Sequence, residues 1–388
     1  MSETPYHAPM VPPGLPSGHP LPRPRRPQIL SALLVAGLVV FVAGTGLLSL
    51  LAITTETGVL GLFSGALLAA IPVFPVVATY LWLDRYEAEP NSMLALAFAW
   101  GAGVATFGAL VINTASLQAI QNAGGDLQTA AVFVAPVVEE TMKGLAILVI
   151  LVIRRREFDG IVDGIVYAGM AGIGFAYVEN VLYLGRTLAE DGSGGTIAVF
   201  ILRCIVSPFA HPLFTAAIGV GIGIAVRTRH PAVRLLAPVA GWCVAVFVHG
   251  LWNASASSGL AGFLSAYVVL QVPVFLAFLA LALFARRREG QLIGRHLAIY
   301  GSTGWLTQSE VGMLASLPAR RDARAWARRV GGSAAGRAMR DFQELASELA
   351  FLRERMARGT APPDAQQEEL AILGAMAQQR ARFLPATR

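Results

Sequence analysis

The sequence predicts an all-α, polytopic membrane protein: a bundle of about eight transmembrane helices followed by a cytoplasmic helical tail. Three observations predict it. The 388-residue chain is 55% hydrophobic and only 14% charged, with a mean hydropathy of +0.59, whereas soluble domains are about a quarter charged. Apolar runs of about 20 residues, each long enough to cross about 30 Å of hydrocarbon, recur along the chain. The loops between those runs alternate between basic and nearly free of Lys and Arg.

In chain order, residues 1–28 form a proline-rich arm, too polar for a signal peptide and expected to be disordered, ending in Arg23, Arg25 and Arg26. The apolar runs follow at 29–53, 58–82, 92–114, 128–153, 163–186, 197–227, 233–255 and 260–285. The arginines of the arm predict a cytoplasmic N-terminus. Eight crossings then place LDRYEAEPN, RRREFDG and RTRHPAVR in the cytoplasm, and TTETG, QNAGGD and AEDGSGG outside. This is the charge bias expected of a plasma (inner) membrane protein with both termini cytoplasmic. Residues 29–285 are thus read as the transmembrane domain and 286–388 as the cytoplasmic tail. That tail shows helical periodicity with charges of both signs, and breaks are expected at Gly331-Gly332 and at 361–364.

The net charge of +6 comes largely from arginines at cytoplasmic helix ends and in the tail, so it calls for headgroups and solvent, not for a nucleic-acid partner. Cys204 and Cys243 both lie inside apolar runs and imply no disulfide framework.

The runs contain polar residues that a lipid-facing helix excludes. Glu139, Glu140 and Lys143 stand in the middle of the fourth, where each charge costs roughly 2.5 to 3.5 kcal/mol on the most lenient scale. Lys143 is the only lysine among 30 basic residues. At three and four residues' spacing its ammonium reaches one or both carboxylates, but a single lysine does not balance two. Partners are therefore expected in other spans. The fifth run holds Glu179 and Asn180, with Ala168, Gly172 and Phe175 on the face of Glu179. The sixth holds His211 between Pro208 and Pro212, and Arg203 two turns earlier, where snorkelling to headgroups is its default role. The seventh holds His249 and Asn253, four apart on one face. At 1.5 Å per residue from the outer edge, the glutamate pair lies about 16–18 Å deep, His211 about 18–21 Å, and Glu179, His249 and Asn253 about 5–10 Å. All fall in the middle or outer half, which predicts one polar cavity opening outward.

Such a set fits amide hydrolysis, with a glutamate taking a proton from water, a histidine sharing it, and a His-Asn pair donating to the oxyanion. It equally fits zinc held by His211, His249 and Glu140, with the second glutamate activating the bound water. The His-Glu-x-x-His spacing is absent, and spacing alone does not choose between metal and no metal.

Taken in order, Glu139-Glu140-x-x-Lys143, the block Asp163-Gly164-Ile165-Val166-Tyr167 leading to Glu179-Asn180, His211, and His249-x-x-x-Asn253 resemble the PrsW family of intramembrane proteases. Asp84-Arg85-Tyr86-Glu87-Ala88-Glu89-Pro90 is similar to that family's acidic loop, with Ala88 where proline is usual. The resemblance covers about residues 30–285, and it extends to the CAAX prenyl proteases of the Abi superfamily. It implies that Glu139 or Glu140 is the general base and that His211 assists it. It also implies that His249 with Asn253 stabilises the oxyanion or helps hold zinc, and that the substrate is a membrane-anchored, anti-sigma-factor-like protein cut on the extracytoplasmic side. Lys143, Glu179, Asn180 and Arg203 are then supporting residues. The competing classes are a proton-coupled transporter, since relays also use buried Glu, Lys and His, and a non-catalytic membrane scaffold. No inverted repeat and no polar inner half of a pathway favour transport.

Overall fold

The computed structural model describes residues 28–384; the expected N-terminal arm lies outside them. Every regular element among the described residues is helical. They are α1 (Gln28–Leu83), α2 (Asn91–Trp100), α3 (Thr106–Asn122), the turn α4 (Leu127–Thr129), α5 (Ala135–Ile153), α6 (Ile161–Glu190), α7 (Gly192–Phe200), α8 (Ala210–Val226), α9 (Pro231–Ala256), α10 (Gly259–Ala266), α11 (Val272–Ser302), α12 (Gln308–Leu314), α13 (Leu317–Arg358) and α14 (Ala365–Phe383). Turns of π-helix join α2 to α3 (Gly101–Ala105), α4 to α5 (Ala130–Val134) and α10 to α11 (Tyr267–Gln271), and extend α7 (Ile201–Val206).

Six described segments are long and apolar enough to cross a membrane: Leu33–Leu83, Asn91–Asn122, Ile161–Glu190, Gly192–Val226, Pro231–Ala256 and Gly259–Ser302. The first is divided at Gly58, whose φ of 69° and ψ of 172° break the helix between the first two runs seen in the sequence. The 19-residue α5 is also long enough to span, but it carries Glu139, Glu140 and Lys143.

The described residues separate into two compact units, one formed by 28–84 with Glu89–Leu283, the other by Arg85–Ala88 with 284–384. In the first unit α6 is the central helix, with Ile165, Tyr167, Ala168 and Ala171 fully buried. Small residues let its neighbours come close. A Cβ at Gly164 would lie 2.0 Å from the Gly219 carbonyl oxygen, and one at Gly172 would lie 2.7 Å from Pro212 Cα. The second approach brings the start of α8, with His211, against the face of α6 that carries Phe175 and Glu179.

Before α2 the chain buries two acids outside the spans. Asp84 Oδ2 accepts the Glu89 N–H at 2.8 Å, and Glu89 Oε2 accepts the Tyr167 hydroxyl at 2.5 Å. In the second unit Ser347 Oγ and Arg320 Nη1 donate to the Tyr86 carbonyl at 2.7 and 3.1 Å. Its core joins Phe342, Leu349 and Leu352 of α13 to Ile372 and Met376 of α14. The chain leaves helical geometry at Gly331 and Gly332, and α13 ends on left-handed Gly359.

Burial pushes the Asp84 carboxyl up to about 8 and, with Asp163 adding repulsion, Glu89 up to about 9. Raised carboxyls stabilise the fold in their protonated form. That contribution is complete below the unfolded pKa of about 4 and is lost as pH rises through about 8 to 9. Asp84→Asn is therefore expected to raise the unfolding midpoint at pH 9, by about 2–4 °C per kcal/mol relieved, and to change it little at pH 4. Thermal scans of detergent-solubilised protein at the two pH values check this, and an equal shift at both contradicts it.

Candidate functional site

The site is built around the Lys143 ammonium, which is fully buried. It donates to Glu140 Oε1 at 2.5 Å, lies 3.2 Å from His211 Nδ1 and 3.8 Å from Glu139 Oε2, and sits 4.2 Å above the Phe175 ring. One residue of α5 thereby meets α6 and α8. Glu140 is fully engaged: Oε1 takes Lys143 and faces His249 Nδ1 at 2.9 Å, and Oε2 accepts the Thr215 hydroxyl at 2.9 Å.

Glu139 is placed differently. Its Oε1 accepts from Asn113 Nδ2 at 3.4 Å, and its Oε2 is buried without a hydrogen-bond donor, 3.7 Å from His249 Nε2. The His211 and His249 rings stand edge to face, 5.1 Å apart, and Phe214 stacks on His249 at 5.0 Å. Donor atoms of Glu139, His211 and His249 all lie within 4.8 Å of one another, a group able to hold a metal ion. The carboxylate of this trio is Glu139, and not Glu140 as the sequence alone suggests. Both oxygens of Glu140 are already engaged, Oε1 by Lys143 and His249 Nδ1 and Oε2 by Thr215.

Glu179 pairs with His211 Nε2 at 2.8 Å and with the Arg203 guanidinium, while Arg203 Nε donates to Asn180 Oδ1 at 2.6 Å. Arg203 thus turns inward, also over the Tyr183 ring at 4.3 Å, instead of snorkelling to headgroups. It lies in the π-turn Ile201–Val206, whose extra residue shifts the helical phase that regular spacing assumes. Asn253 Nδ2 donates to the Ala131 carbonyl at 2.8 Å, in another π-turn.

A cavity of about 450 Å³ is lined by Glu139, Glu179, Arg203, His211, Asn253 and Asn113, among others. The structure therefore brings together Glu139, Glu179, Arg203, His211 and Asn253 around one space. Glu140, Lys143 and His249 support its wall, and Asn180 is held through Arg203. Asn113 and Thr215 were missed in the sequence. Asn113 carried a signal, an amide inside an apolar run, but a threonine in a helix is too common to give one.

Residues 89–278 match the family model described as PrsW family intramembrane metalloprotease. Protease PrsW of Geobacillus kaustophilus is 30% identical over 190 residues, which are 47% of this chain and 76% of that protein. The chain belongs to the PrsW family. Within that family, Protease PrsW of Clostridioides difficile is 30% identical over 155 residues, 38% of this chain and 62% of the relative. Protease PrsW of Bacillus subtilis is 30% identical over 146 residues, 37% and 62%. The chain thus spans 62% of the length of these last two relatives. No solved structure matches the chain. The PrsW match takes in every residue of the polar cluster, from Asn113 to Asn253.

Removing the ammonium leaves Glu140 a buried charge without its cation, a change that destabilises by about 3–5 kcal/mol. Lys143→Met is expected to lower the unfolding midpoint sharply, and Lys143→Met with Glu140→Gln is expected to recover most of the loss. Calorimetry of the two variants checks this, and a single variant as stable as wild type contradicts it.

Proposed function

We propose that this chain is an intramembrane peptidase that hydrolyses a peptide bond of a membrane-anchored, anti-sigma-factor-like protein near the extracytoplasmic side of the plasma membrane, its own termini lying in the cytoplasm. One observation carries the reading. Glu139 Oε2 is a buried acceptor with no donor, on a cavity it shares with His211 and 3.7 Å from His249 Nε2. A carboxylate in that position is ready to take a proton from water, or to bind a cation.

The residues fit zinc. Two imidazoles and a carboxylate are the donor set of catalytic zinc sites with an open position. The three carboxylates Glu139, Glu140 and Glu179 face two fixed cations, Lys143 and Arg203, so one negative charge is left over. Glu139, His211 and His249 would hold the ion. When bound, it lowers the pKa of water and polarises the scissile carbonyl.

The chain's own residues do the rest. Glu140 takes the hydrogen of His249 Nδ1 and so leaves Nε2, the nitrogen that faces Glu139, with its lone pair. Glu179 holds His211 through Nε2 at 2.8 Å, which leaves the Nδ1 lone pair toward the Lys143 ammonium 3.2 Å away, so His211 would take the ion only by giving up one of these two contacts. In the metal-free version the water proton passes to Glu139, the hydroxide adds to the carbonyl carbon, and the proton is delivered to the leaving amine as the C–N bond breaks. Arg203 and Asn253 line the cavity and would donate to the oxyanion.

The test is co-expression with a library of single-span reporter proteins whose transmembrane segments are randomised, scored by release of the reporter. Glu139→Gln and His249→Ala are each expected to reduce release by about 10²–10⁴-fold at unchanged protein level. Elemental analysis of the purified protein should find about one zinc per chain, lost in His211→Ala. Wild-type release by Glu139→Gln overturns the reading, and full activity with no bound metal selects the metal-free version.

A further inference from the structure

Beside the polar cavity lies a second one of about 240 Å³, lined by Leu213, Val248, Leu251, Trp252, Val274 and Phe275 among others. A cavity of about 150 Å³ already takes up benzene, so this space holds a large apolar side chain. Trp252 lines both cavities, and Phe214, which stacks on His249, lines this one. The two spaces are therefore neighbours across an aromatic wall.

The second cavity has one polar feature left open. Gln271, in the π-turn Tyr267–Gln271, donates through Nε2 to Ser255 Oγ at 2.8 Å. Ser255 Oγ spends its own hydrogen on the Trp252 carbonyl at 2.7 Å. That chain fixes the amide, and Gln271 Oε1 is left buried without a donor. The other polar groups here are satisfied, with the Tyr267 hydroxyl donating to the Val206 carbonyl at 2.8 Å and the Ser207 hydroxyl to the Leu202 carbonyl at 2.7 Å. In hydrocarbon an open acceptor is costly unless something donates to it. An acyl chain has no donor, whereas a peptide strand unwound for cleavage carries a free N–H at each residue.

From this we infer that the second cavity is a specificity pocket of the peptidase site. It receives a large apolar side chain of the substrate next to the scissile bond, while Gln271 Oε1 accepts a backbone N–H of the same segment. The inference rests on the peptidase reading above.

The experiment uses the purified full chain in lipid nanodiscs and a series of single-span reporters that differ only in the residues flanking the cleaved bond, set to Ala, Leu, Phe or Trp. Wild type is expected to prefer a large apolar residue over Ala at one flanking position by about 10-fold or more in kcat/KM. Val274→Trp should abolish or invert that preference while keeping cleavage of the Ala reporter. Should Val274→Trp not fold, Val274→Ala enlarges the pocket and should move the optimum toward Trp. Gln271→Leu should raise KM about 10-fold for every reporter, leaving the ranking unchanged. Identical preferences in wild type and both Val274 variants overturn the pocket while the peptidase reading stands, as does a lipid co-purifying in the pocket that no reporter displaces. A wild-type chain that cleaves none of the series overturns both.

Discussion

The fold depends on one buried ammonium. Lys143 is fully buried, and among the described residues its ammonium meets Glu140, Glu139, His211 and the face of Phe175. Those partners come from α5, α6 and α8, and Glu140 extends the contact to α9 through His249. A charge in hydrocarbon is tolerated only when its neighbours replace water, so the bundle must close in the one arrangement that brings these four helices to it. The same closure sets Glu139 beside two imidazoles. On the proposed peptidase reading, stability and chemistry share a wiring, in which the satisfied carboxylate, Glu140, orients His249 and the unsatisfied one, Glu139, lines the cavity.

The π-turns are the second device. Each inserts a residue and frees backbone carbonyls, which within a membrane must find donors. Thr106 Oγ1 donates to the Gly101 carbonyl at 3.0 Å, Asn253 to Ala131, Ser207 to Leu202 and Tyr267 to Val206. Three of the four π-turns, Ala130–Val134, Ile201–Val206 and Tyr267–Gln271, contribute residues to the walls of the two cavities, and Thr106, next to the fourth, lines the larger one. The polar residues that donate to these carbonyls, Thr106, Asn253, Ser207 and Tyr267, themselves line the two cavities.

Much of this was legible in the sequence, because hydropathy and charge report directly on lipid. Each apolar run falls on helix, although the helix of the third continues to Asn122 and that of the eighth to Ser302, Gly58 marks the first break as the run boundary implied, and the Gly331-Gly332 break falls inside α13. The residues that cluster were visible as polar exceptions in apolar runs. Their division of labour was not. Glu139 and Glu140 are adjacent and chemically identical, and it is the positions of Lys143, Thr215, His249 and Asn113 around them that separate the two. Regular helical spacing puts Arg203 toward the headgroups, and the π-turn Ile201–Val206 that carries it inward leaves no signal in the sequence.

The central claim is that the buried charges share a water-filled space. It is tested most directly by a small, membrane-impermeant, charged thiol reagent applied to Asn113→Cys, in a chain whose own Cys204 and Cys243 are replaced by alanine, with Val152→Cys on the lipid-facing side of α5 as the control. The account predicts that Asn113→Cys reacts in the folded, membrane-inserted protein and that Val152→Cys does not until detergent denatures it. An Asn113→Cys as inert as the control would contradict it.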